Sequence, residues 1–225
     1  MTHKVGPWSF SKIKSFETCP KQFYHMSVLK EYPQEETQAM LYGSAMHKAA
    51  EDYVKADVPI DARFKYIQPA LDELKDIRGV KLWEKRMGLT KEIKPCGFYD
   101  KKAWFRGIVD LAIIDTLAQR AWVVDYKTGK STRYADKDQL ELMALCIFKE
   151  YPDIEYVNAA LLFVVAEELI DDAYHIDNSV AMWGKWFKRH ERMQQAFDND
   201  VWNPRPSGLC RHHCPVIECA HNGRS

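Results

Sequence analysis

The sequence predicts an α/β fold: a central mixed β-sheet flanked by helices, closed by a cysteine-rich tail. Three observations carry this. Apolar residues in the first third of the chain recur at helical spacing. From Val80 the pattern changes to short apolar and β-branched runs separated by turns. A helical segment then precedes two more such runs, and a long amphipathic segment follows. No internal repeat, low-complexity tract or flexible linker breaks this order. The 225 residues therefore read as one domain, with a helical N-terminal part (1–78), a sheet core (79–176), and a C-terminal helix with its tail (177–225).

Each element has a local reason. Ser9 or Ser11 can cap a helix whose apolar face is Ile13, Phe16, Phe23 and Tyr24. Cys19-Pro20 interrupts it, and proline suits the first turn of a second short helix. Thr37 to Ala56 reads as the next helix, with Met40/Leu41, Ala45, Ala49 and Tyr53 as its apolar stripe. Gly43, His47 and Glu51 follow one another at four-residue steps on an adjacent face. Ile60 to Ile77 is a third helix that Pro69 bends or splits. Strands are expected over Val80–Leu89, Ile93–Phe98, Ala103–Ile114 and Ala121–Lys127. The helix Asp138–Tyr151 comes next, then Tyr156–Val165 as a strand buried on both faces, and Leu169–Ile176 as an edge strand. Asn178 caps the long helix Ser179–Asp198, in which Trp183 and Trp186 look like core. The tail from Val201 to Ser225 has too few periodic apolar residues to build a core of its own.

Composition narrows the classes. At 46% hydrophobic and 28% charged residues the chain is globular. Its formal net charge is zero, so any nucleic-acid partner needs a local basic groove. The longest apolar run, Ala159–Ala166, is too short to span a bilayer, and the N-terminus has no signal-peptide core. A cytosolic protein is expected, in a bacterial or phage-infected host cell. Six cysteines in that compartment argue for metal or cluster ligation rather than disulfides.

The stretch richest in chemistry is Gly107-Ile108-Val109-Asp110-Leu111, followed by Val123-Val124-Asp125-Tyr126-Lys127-Thr128-Gly129-Lys130. Adjacent strands place Asp110 and Asp125 side by side, and strand alternation puts Asp125 and Lys127 on one face. Two acids and an amine in an apolar sheet are costly to bury uncompensated, and a divalent cation would compensate them. Hard carboxylate oxygens suit Mg²⁺ or Mn²⁺, which polarises a phosphate and acidifies water. A neighbouring lysine can orient the nucleophile and stabilise developing charge.

Asp110 … Asp125-Tyr126-Lys127 resembles the core of the PD-(D/E)XK nuclease superfamily. The fuller text, from Gly107-Ile-Val-Asp110 to Thr128-Gly-Lys130, resembles its RecB-like branch, which includes AddB-type, CRISPR-adaptation and phage exonucleases. The resemblance runs from Ser9 to Cys219 and implies a restriction-endonuclease-like core. Gly43-Ser-Ala-Met-His47 is similar to the branch's Gly-x-x-x-His helix. That likeness implies His47 as a metal ligand beside Asp110 and Asp125, with the carbonyl of Tyr126 as another. Asp110, Asp125, Lys127 and Gln139 form the implied catalytic set. Gln139 stands where the family has Gln-x-x-x-Tyr, although Met143 replaces the tyrosine here, so a plain surface position is the alternative. Glu84 falls where the family often has a first-strand acid, and it reads equally as an ordinary exposed acid.

Cys210, Cys214 and Cys219 crowd the tail, and Cys19 is available as a fourth ligand. Together they resemble the one-early, three-late cysteine pattern that holds a 4Fe–4S cluster in AddB-like and CRISPR adaptation nucleases. The late spacing differs, with the middle ligand shifted by one. Zn²⁺ on four cysteines, or on three with His212 or His213, is the rival. Cys96 and Cys146 have no partner at ligand spacing. Candidate phosphate contacts are Lys130 and Arg133 just past the second acid strand, then Lys12, Lys14, Lys21 and Arg106. The expected activity is metal-dependent DNA cleavage by an exonuclease acting on single- or double-stranded ends, in recombination, repair or phage DNA processing. The chain could pair with itself or with a recombination protein. The alternatives are a CRISPR spacer-adaptation nuclease and a non-catalytic DNA-binding module with structural metal sites.

Overall fold

The computed structural model describes residues 6–33, 36–133 and 135–224. Two compact units form, one from Met1–Glu35 with Gly184–Ser225 and one from Glu36–Trp183.

The second unit holds the sheet. Its strands are β1 (Val80–Leu89), β2 (Pro95–Cys96), β3 (Phe105–Asp115), β4 (Arg120–Lys127), β5 (Tyr156–Phe163) and β6 (Glu168–His175). They lie in the order β2-β1-β3-β4-β5-β6, and only the β4–β5 pair is parallel. A parallel neighbour needs a crossover, and the helix Lys137–Glu150 between β4 and β5 supplies it. The mixed sheet flanked by helices is the predicted architecture.

Two helices of this unit lie ahead of the sheet in sequence. One, Gln38–Ala56, is capped by Thr37, whose side chain accepts from the Met40 N–H. The other runs Gln68–Asp76 with Pro69 in its first turn, preceded by a 3₁₀ segment Ala62–Ile67, so the proline does split the expected third helix. Met46, Ala50, Phe64, Ile67 and Leu71 pack with Leu111, Ile113, Val124 and Tyr126 of the sheet. The buried line of Gln38–Ala56 is therefore Met46, Ala50 and Val54, while Met40 and Leu41 at its start are exposed. Ala45, Ala49 and Tyr53 of the expected stripe pack half-buried beside that line, and only Met40 and Leu41 fall outside the core. The helix Lys137–Glu150 buries Leu140 and every residue from Leu142 to Phe148, as a helix hydrophobic nearly all round should.

Two strand expectations need correction. Of Ile93–Phe98 only Pro95–Cys96 pairs. Ile93 has a φ of 53° and its N–H donates to Thr90 O, so these residues form the turn after β1. β5 is not fully buried on both faces; burial alternates, with Val157, Ala159, Leu161 and Phe163 inside. Its apolar run reflects a sheet covered on both faces, with Asn158, Ala160 and Leu162 only partly covered on the face that the helices Gln38–Ala56 and Gln68–Asp76 pack.

The first unit contains α1 (Phe10–Thr18), α2 (Pro20–Phe23) and the last part of the helix Ser179–Asn199. With the helices of the sheet unit designated α3 (Gln38–Ala56), α4 (Gln68–Asp76) and α5 (Lys137–Glu150), that helix is α6. Ser9 caps α1 by accepting from the Lys12 N–H, and a π-helical turn, Tyr24–Leu29, prolongs α2. Trp8 stacks on Trp186 at 6.0 Å, and Trp202 sits among Phe16, Phe23, Tyr24 and Phe197. Glu17 accepts two hydrogen bonds from the Arg189 guanidinium. These aromatic and charge contacts supply the packing that the tail lacks by itself.

Candidate active site

The sheet ladder opens where the acids sit. β3 and β4 pair from Asp115–Arg120 up to Leu111–Val124. One step further the same register would set Asp110 opposite Asp125, but the strands part there. The Tyr126 N–H instead donates to Asp110 Oδ2 at 2.6 Å. On the other side of β3, Trp83 pairs with Leu111 and Lys85 with Val109, so Glu84 stands opposite Asp110, and that pair also drops out of the ladder. Glu84 adopts a φ of 45°, a left-handed conformation that costs a non-glycine residue roughly 1–2 kcal/mol. Glu84, Asp110 and Asp125 thus form one row across three strands. Like charges facing each other across strands destabilise a sheet.

Helix α3 brings the imidazole. His47 follows Met46, which is fully buried, and its Nδ1 lies 3.2 Å from Asp110 Oδ1. Its ring meets the Tyr126 ring edge-on at 5.8 Å. Four residues earlier, a Cβ on Gly43 would come 3.4 Å from Thr128 Oγ1, so the helix passes close to the end of β4. One ligand atom each from His47, Glu84 and Asp110 lies within 4.8 Å of the others.

Asp125 is buried. Gln139, in the first turn of α5, donates from Nε2 to Asp125 Oδ1 at 2.9 Å. Lys127 Nζ reaches the buried Asp125 Oδ2 at 2.5 Å, a charge contact. The site perturbs its own protonation. Burial pushes the Asp125 carboxyl up, Lys127 pulls it down, and Asp110 pushes it up again, for a net rise. Burial and then the Asp110 charge raise Glu84. Burial would lower the His47 imidazole, but its hydrogen bond and charge contact with Asp110 outweigh that, helped by Asp125 and Glu84, so it rises. Burial raises the Tyr126 phenol.

His47, Asp110, Asp125, Tyr126, Lys127 and Gln139, all named from the sequence, therefore meet in one unit. Glu84, left open there, joins them; its position opposite Asp110 is a matter of strand register that no local pattern reveals. Lys130 and Arg133 lie exposed on the chain leaving β4. Lys12 is drawn to the Pro7 carbonyl at 2.6 Å. Two carboxylates and an imidazole within 4.8 Å of one another, with the Asp125 carboxylate on the neighbouring strand, fit a hard divalent cation.

Cys19, Cys210, Cys214 and Cys219 line one cavity in the other unit. The Arg205 N–H donates to Cys19 Sγ and the Ser207 N–H to Cys210 Sγ, both at 3.4 Å. Burial raises the Cys214 thiol, and Cys210, Cys19 and Cys219 raise it further. Cys146 is fully buried and Cys96 lies in β2.

The sheet is mixed, its ladder opens at Asp110, and a lysine follows the buried Asp125 by two residues. The chain belongs to the PD-(D/E)XK nuclease superfamily, whose family description matches residues 7–219. Among solved structures, a protein of Eubacterium rectale with a provisional exonuclease assignment is similar at 12% identity and a TM-score of 0.55, over 92% of this chain and 88% of that one. At that identity the likeness concerns the fold alone. SSO0001 is similar at 13% identity with a TM-score of 0.49, over 97% of this chain and 88% of that one, which adds no further argument. No curated protein matches the sequence. No helix among the described residues is long and apolar enough to cross a membrane.

Proposed function

We propose that this chain is a metal-dependent deoxyribonuclease of the RecB-like kind that hydrolyses phosphodiester bonds at DNA ends. The observation that carries the reading is the acid row Glu84–Asp110–Asp125 with His47 at one side and Lys127 at the other. His47, Asp110 and Asp125 would hold Mg²⁺ or Mn²⁺, with Glu84 and the Tyr126 carbonyl as further oxygen donors. The cation, when bound, supplies Lewis acidity and neutralises phosphoryl charge. Lys127 Nζ orients the attacking water and donates to a phosphoryl oxygen as its charge grows. Gln139 fixes the rotamer of Asp125 through Oδ1, and Oδ2, held by Lys127 Nζ, would be shared with the cation. Lys130 and Arg133, next along the chain, contact DNA phosphates.

At the cysteine site we favour a 4Fe–4S cluster over zinc. The one-early, three-late cysteine order, with all four cysteines lining one cavity, supports that choice. N–H donors to two of the sulfurs suit a cluster as well. Such a group would tie the tail to α1 and α2. The deciding experiment incubates end-labelled linear DNA and closed circular DNA with Mn²⁺ or Mg²⁺. Release of nucleotides from linear DNA alone is expected. Cleavage of circles makes the chain an endonuclease, and binding without cleavage makes it a DNA-binding module.

A further inference from the structure

On β3, Arg106, Ile108 and Asp110 share one face of the sheet, because side chains alternate along a strand. Arg86 of β1 pairs with Ile108 and so stands on that face too. The turn after β2 presents Phe98 and Tyr99, whose rings meet edge-on at 5.0 Å. Both guanidinium groups lie over these rings, Arg106 at 5.4 Å from Phe98 and 5.9 Å from Tyr99, Arg86 at 5.8 and 5.9 Å. Arg86 also donates to the Tyr99 hydroxyl at 3.1 Å. Neither arginine has a carboxylate within ion-pair distance among the described residues, and Arg106 Nε is buried without a hydrogen-bond partner there. Yet Tyr99 is 71% and Ile108 42% exposed. Two arginines without a carboxylate in ion-pair contact, an exposed ring and an exposed aliphatic side chain together make a poor solvent surface and a good surface for a flat anionic polymer.

We infer that Arg86, Phe98, Tyr99, Arg106 and Ile108 form a platform for unpaired nucleotides of the strand that enters the acid row. The inference rests on the nuclease reading for what lies at its far end. Arginines take phosphates, and an aromatic ring stacks a base whatever its identity, which is how single strands are held without sequence readout. The four residue steps from Arg106 to Asp110 span about 13 Å of strand, at roughly 3.3 Å per residue. That matches about four nucleotides of a stacked strand, at ~3.4 Å each. Inside a duplex both faces of every base are stacked, and a blunt end exposes only its terminal pair to Tyr99. The platform therefore selects single strands or frayed ends.

The test measures anisotropy of a labelled oligothymidine and of a blunt duplex with the full chain in EDTA, so that nothing is cut. Tyr99→Ala and Arg106→Ala are expected to weaken oligothymidine binding on the order of tenfold. Tyr99→Phe should keep it, and the duplex should be less affected. The idea is overturned if the parent does not bind oligothymidine, if both alanine variants bind it as the parent does, or if they lose duplex affinity by the same factor. Hydrolysis of bis(4-nitrophenyl) phosphate by the parent with Mn²⁺ separates the two claims, since this ester cannot reach from the acid row to Tyr99. If the parent leaves the ester intact while the variants still lose oligothymidine, the platform stands and the nuclease reading falls.

Discussion

Glu84→Gln should make the metal-free protein more stable and its metal response weaker. Glu84 and Asp110 present carboxylate oxygens within 4.8 Å of each other. Two unit charges at that distance repel by about 1 kcal/mol in a water-like dielectric and about 3.5 kcal/mol at an effective dielectric of 20. Glu84 is exposed to solvent, so the lower figure applies. For a chain of this size about 1 kcal/mol corresponds to a rise of roughly 2–4 °C in Tm. A protonated His47 would mask part of the repulsion, so melts belong at a pH well above the ordinary imidazole range, since His47 is raised. Circular-dichroism melts in EDTA and in millimolar Mn²⁺ read both effects. The parent should gain stability from Mn²⁺ by mass action. The variant should start higher in EDTA and gain less. A variant that melts at or below the parent in EDTA and keeps the full Mn²⁺ increment would refute the idea that these carboxylates are gathered for a cation.

Other outcomes follow from the same geometry. Lys127→Ala should lower kcat on DNA by about 10²–10³-fold while leaving DNA binding in place, as judged by single-turnover cleavage beside a binding assay. Gln139→Ala, which frees Asp125 to rotate, should cost on the order of tenfold in kcat, and Gln139→Glu more, because a second carboxylate raises Asp125 further. His47, Glu84 and Asp125 are all raised in the folded chain. Without metal, the stability they contribute is complete below their ordinary values and is lost as pH rises through the raised ones. A cation must displace those protons, so Mn²⁺ affinity measured by calorimetry should rise with pH and still be climbing above 6.5, the ordinary value for His47. Anaerobically purified protein should contain iron and acid-labile sulfide, and Cys214→Ser should remove them and lower Tm; stoichiometric zinc in a colourless protein would favour the rival.

Much of the site could be read before the fold. Asp110, Asp125 and Lys127 stand out because an acid in an apolar strand is a local anomaly, and strand alternation fixes which side chains share a face. His47 needed the family resemblance, since one histidine on a helix carries no signal of its own. Glu84 stayed ambiguous for a physical reason: only the β1–β3 register sets it opposite Asp110, and its left-handed φ is imposed by tertiary structure. Phe98 and Tyr99 were hidden for a similar reason. Phe98 ends a stretch that reads as a strand and Tyr99 lies just past it, but only Pro95–Cys96 pairs, and in the turn after β2 the two aromatics meet two arginines from other strands.

The account turns on where a cation binds. Anomalous diffraction from crystals soaked in Mn²⁺ addresses this directly. One strong peak is expected within bonding distance of His47 and Asp110, next to Asp125 Oδ2, and it should vanish in Asp110→Ala crystals. A well-ordered site with no peak there, or a manganese peak that persists without the Asp110 carboxylate, would contradict it.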